Sequence, residues 1–174
     1  MALTLASAHL NDDDFLEAFH SCRLENSQFR HADHLRLAWI HLHRQPFEEA
    51  LRQVRSGVQR FAAHYNVPQL YHETITVAWV HLLATHHEPT FEEFLAKNEW
   101  RLGKDLLFRF WSPELLDTRE AREAWAPPDR QSLPALVQGE KDFPESAAHR
   151  RLSRSRWTTC ITSTCDRTRR NSTT

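Results

Sequence analysis

Glycine, cysteine and methionine are scarce in this chain, whose 174 residues include three Gly, three Cys and one Met. So little glycine, with Val and Ile sparse beside Leu, Ala, Glu and Arg, disfavours a β-rich fold and matches the residue usage of a helical protein. The cysteines, Cys22, Cys160 and Cys165, are odd in number, and two of them stand near the C-terminal end. That pattern argues against a disulfide framework and suits a reducing cytoplasm. A basic leader is also lacking. The apolar residues of MALTLASAH are broken by Asn11, Asp12, Asp13 and Asp14, so neither a signal peptide nor a membrane span is expected. P-loop, GxGxxG, GxSxG and HExxH patterns do not occur, which removes the commonest nucleotide, hydrolase and zincin readings.

What is present is a large apolar complement. Ten Phe and six Trp in a chain that is 40% hydrophobic and 26% charged can build one buried core. The net charge of −1 conceals an uneven distribution. Residues 149–174 carry seven Arg against one Asp, a balance of +6, which leaves −7 on the rest. An acidic body is a poor nucleic-acid surface, and no nucleic-acid partner is expected of it.

Helical periodicity organises residues 11–134. Asn11 suits an N-cap, with Phe15, Leu16 and Phe19 on one face of a helix ending near Cys22. A second helix lies in FRHADHLRLAWIHLHRQ. A third follows Pro46, with Phe47, Ala50, Leu51, Val54, Val58, Phe61, Ala62 and Tyr65 as its stripe and the arginines opposite solvated. A fourth runs from about His72 to His86 and has almost no polar face. Thr90 and Glu93 form a capping box for a fifth; a helix near 104–111, a turn capped at Ser112 and a last one capped at Asp117-Thr118 complete the series. Proline density then ends regular structure near Pro134. The expected architecture is all-α, a compact bundle of about five to seven helices over residues 1–136. Residues 137–174, rich in Arg, Ser and Thr, are expected to be a disordered tail.

Chemistry concentrates at two helix starts. His31 falls at the centre of the buried stripe of the second helix, with His34 at its edge, and His72 lies in line with the stripe of the fourth, beside Glu73. The links near 44–45 and 66–70 are short, which favours antiparallel neighbours and brings both starts to one end of the bundle. Three histidines and a carboxylate there have the composition of a metal site. Imidazole binds Zn or Fe at about 2.0–2.1 Å, and positions i and i+3 of a helix can share an ion. On this reading His31, His34 and His72 hold a divalent metal in an enzyme acting on a small molecule, Glu73 acts as ligand or proton carrier, and Tyr71 donates a hydrogen bond into the site or packs against the third helix.

The same residues permit other readings. Helix N-termini favour anions over cations. A metal-free pocket would then hold an anionic substrate on the helix ends and Arg36 or Arg30 while neutral histidines and Glu73 handle protons, or, without catalysis, would bind an anionic small ligand or a protein partner, with Thr76 among the contacts. A third reading is structural: the polar groups satisfy one another at a buried junction, and Thr74 and Thr76 are simply helix-start residues. His86-His87 reads as a helix C-terminal pair, and Cys160-x4-Cys165 is a weak zinc pattern.

The segments FRHADHLRLAW, RFAAHYNVP, YHETITVAW and WSPELLDTREAREAW, followed by PDRQSLP, resemble a family of small uncharacterised bacterial helical proteins with an HxxHL segment followed by YHETxT. The resemblance covers about residues 27–134. It implies a small soluble bacterial domain and points to His31, His34, His72 and Glu73 without supplying a reaction.

Overall fold

A computed structural model describes residues 5–136, without the side chains of Trp100 and Lys104. The expected tail, with Cys160 and Cys165, lies outside the described residues. Within them the chain is all-helical, and no strand occurs. The helices are α1 (Asp12–His20), α2 (His31–Arg44), α3 (Phe47–His64), α4 (Glu73–Leu83), α5 (Phe91–Asn98), α6 (Pro113–Leu116) and α7 (Arg119–Glu123). Their starts follow local chemistry. Asn11, Thr90, Ser112 and Thr118 each accept the backbone N–H three residues on, at 2.9, 3.2, 3.2 and 3.1 Å. His72 caps α4 differently, its ring Nδ1 accepting the Ile75 amide at 3.3 Å. Two expected helices are altered. The fourth stops at Leu83, where the Thr85 hydroxyl and the His86 amide turn back onto the Leu82 and Leu83 carbonyls. The one near 104–111 is a 3₁₀ run, Lys104–Arg109, whose period of three turns Leu107 and the following Phe110 inward together.

Helices α2, α3 and α4 pack against one another in all three pairs. Phe19 of α1 meets Phe29 and Phe61 at ring separations of 4.9 and 5.2 Å, and Trp39 of α2 stacks on Phe94 of α5 at 4.8 Å. Burying each such ring stabilises the fold by about 1.5–3 kcal/mol. Gly57 lets α1 approach α3, since a Cβ there would stand 2.8 Å from the Phe19 ring. No helix of the described residues is long and apolar enough to cross a membrane.

Candidate functional site

The polar residues that open α4 are buried, and each fastens a different part of the chain. Thr74 is fully buried; its hydroxyl lies 2.7 Å from the Ala121 carbonyl and 3.0 Å from that of Ala124, and it accepts the Ala126 amide at 3.0 Å. The His72 Nε2–H donates to the Leu116 carbonyl at 2.8 Å, so both ring nitrogens are engaged and the ring is neutral. Burial holds its pKa below the ordinary histidine value, against the opposing pull of that carbonyl. His72 and Thr74 thus secure α6, α7 and the chain beyond them onto the bundle. Thr74→Val and His72→Ala are each expected to lower the unfolding free energy by about 1–3 kcal/mol, because buried amide and carbonyl partners lose their bonds. Urea titration checks this, with Thr74→Ser as the restoring control; unchanged midpoints would show that these bonds do not hold the segment.

Glu73 meets Arg55 of α3 and Tyr71. Its Oε1 lies 2.5 Å from an Arg55 nitrogen of α3, and its Oε2 accepts the Tyr71 hydroxyl at 2.6 Å. Arg55, expected on a solvated face, is thereby drawn to a carboxylate only 5% exposed. Burial and the adjacent carboxylate push the Tyr71 phenol well above its ordinary range, so it remains a donor. Glu73, expected to group with His31, His34 and His72, gives its two oxygens to Arg55 and Tyr71. Arg36 is engaged as well. It lies on another face of α2, 3% exposed, donating to the Ser7 and Leu10 carbonyls and to Asp12.

The other candidates share one cavity of about 540 Å³, lined by Arg30, His31, His34, Tyr71, His72 and Thr76. The first turns of α2 and α4 do open onto the same space. Apolar walls come from Ala38 of α2, Val54 and Val58 of α3, and Ile75, Trp79 and Val80 of α4. Buried Leu107 and Leu116 and half-buried Arg122 complete the lining, and Leu70 and Phe108, 67% and 39% exposed, line it where it meets solvent. Sequence reasoning did not single out Arg122, Leu70 or Phe108. Arg122 sits in REAREAW, which reads locally as an ordinary solvated last turn.

The histidines differ in what they do there. His31 directs Nε2 to the Leu102 carbonyl at 2.8 Å and packs edge-on against Trp79 at 4.9 Å. His34 is exposed, its ring 3.9 Å from that of Phe29. Two of the three thus hold backbone carbonyls of distant segments, Leu102 and Leu116. Among the described residues no three His, Cys, Asp or Glu side chains are grouped as a metal ion requires. The geometry gives the metal reading no support. Arg30 and Arg122 lend the cavity positive charge, and among the described residues no carboxylate lines it.

No protein-family model, curated protein or solved structure matches this chain, and the resemblance noted above rests on its motifs alone.

Proposed function

We propose that this protein binds a small anionic molecule in the cavity between α2, α3 and α4, without a metal and without acid–base chemistry by Glu73. The observation that carries this reading is the lining. Six polar residues marked out by the sequence converge on one cavity that also holds Arg122 and has no carboxylate among its described walls. Its size falls within the roughly 300–1,000 Å³ of small-molecule sites, and mostly apolar walls with a few placed polar groups are their usual composition. His72 and His31 serve here as hydrogen-bonded parts of the wall.

The anionic dye 1-anilinonaphthalene-8-sulfonate is the first probe. The folded protein is expected to bind it with enhanced dye fluorescence, and Thr76→Trp, which fills the cavity from a half-buried position, is expected to abolish binding while retaining the helical circular dichroism. Equal dye binding by the filled variant, or none by the native protein, would remove the pocket from consideration.

A further inference from the structure

We infer that the ligand is an amphipathic organic acid, with its anionic group at the cavity rim and an apolar chain or ring in the interior. This rests on the pocket reading above. Burial sets the polarity gradient: Arg30 is exposed and Arg122 half-buried, whereas Ala38, Val54, Val58, Val80 and Leu116 are buried. A charge is therefore met at the rim, and depth offers hydrocarbon.

Hydrogen-bonding capacity narrows the class further. The Tyr71 hydroxyl is committed to Glu73, and both nitrogens of His72 are committed to Ile75 and Leu116. The His31 Nε2 is committed to Leu102. A sugar or nucleoside seated in the interior would set several hydroxyls against Val54, Val58, Val80 and Leu116, where a polar group that loses water without a partner is costly. A hydrocarbon body incurs no such cost, and Thr76 can serve a single polar atom.

The surface gives the same answer independently. Leu70, Phe108 and Trp125 are the large hydrophobic side chains exposed among the described residues, and two of these three line this cavity. Apolar surface concentrated at an opening marks a place where apolar matter enters or rests. Leu70 and Phe108 extend the hydrocarbon lining outward, and Arg30 and Arg122 line the same cavity while donating to the Ser27 and Gln69 carbonyls at 3.1 and 3.2 Å through one of the five N–H groups of each guanidinium.

Calorimetric titration of the full chain with four matched probes tests the inference: decanoate, decanol, decyltrimethylammonium and glucose 6-phosphate. Decanoate is expected to bind about tenfold more tightly than decanol, the value of one charge-assisted contact at a partly solvated rim. The cation and the sugar phosphate are expected not to bind. The double variant Arg30→Gln, Arg122→Gln is expected to lower decanoate affinity to that of decanol and to leave decanol unchanged. Salt provides a measure that needs no variant, since decanoate affinity should fall with ionic strength and decanol affinity should not. Decanol binding as tightly as decanoate, or glucose 6-phosphate binding more tightly than either, would overturn the ligand class while leaving the pocket in place. If none of the four binds and the dye is also ignored, the pocket reading fails with it.

Discussion

Replacing Arg36 with methionine is expected to destabilise the protein by about 3–5 kcal/mol, the cost of breaking a buried ionic network on one side only. The guanidinium is 3% exposed and joins the N-terminal segment to α2. It donates to the Ser7 carbonyl at 2.9 Å, the Ser7 hydroxyl at 3.3 Å, the Leu10 carbonyl at 2.8 Å and the Asp12 carboxylate at 2.8 Å, and it stands 4.9 Å from the centre of the Phe15 ring. Asp33 is fully buried on the other side of Ser7, accepting its amide at 3.1 Å, its hydroxyl at 2.5 Å and the Arg30 amide at 3.1 Å. Methionine retains much of the volume but leaves the Asp33 carboxylate buried with no cation beyond the serine. Denaturant unfolding measures the loss, and a change below about 1 kcal/mol would show the network to be no stronger than an exposed ion pair. Because Arg36 does not line the cavity, dye affinity of the folded variant should match the native protein; a parallel loss of affinity would restore Arg36 as a ligand contact.

His41→Leu is expected to make the protein more resistant to acid. The side chain is 3% exposed, and among the described residues neither ring nitrogen has a hydrogen-bond partner. Its neighbours add positive charge: the His20 ring lies 5.7 Å away, itself taking an Arg60 hydrogen bond at Nδ1, and Arg44 is on the same helix. Burial first, then His20 and Arg44, lower its pKa from 6.5 to about 4. The native state thus stays neutral where the unfolded chain binds a proton, and protons are taken up on unfolding. Stability is complete above about pH 6.5 and is lost as pH falls towards 4, by about 3 kcal/mol for this group. Burial lowers His20, His72 and His86 in the same sense.

Leucine removes both the proton uptake and the unpaired nitrogens. At pH 7.5 the variant should be at least as stable as the native protein, and by pH 4.5 its advantage should grow by about 2–3 kcal/mol. Urea midpoints at the two pH values decide it. Equal losses in both proteins would place the acid sensitivity elsewhere.

How much of this was legible in the residues depends on the reach of each interaction. Asn11, Thr90, Ser112 and Thr118 act on amides three residues away, and the stripes of α2 and α3 repeat within a turn, so caps, helices and the core face could be read along the chain. The burial of His72 was legible for the same reason. Its partner was not, because Leu116 lies 44 residues on. Thr74 looked like a helix-start residue, and three backbone partners 47 to 52 residues away make it a junction instead.

The sequence by itself determined an all-helical fold for the described residues, the starts of the main helices, and a shared end for α2 and α4, since short links between antiparallel helices leave few other arrangements. Only the tertiary structure decided what that end contains. Histidine, glutamate and arginine side chains each have several possible partners, and the choice turns on which distant segment arrives within about 3 Å. Arg55 and Tyr71 took the Glu73 oxygens, while the N-terminal segment claimed Arg36. Leu102 and Leu116 took the Nε2 atoms of His31 and His72. Residues whose composition suits a metal thus stand in the wall of one cavity.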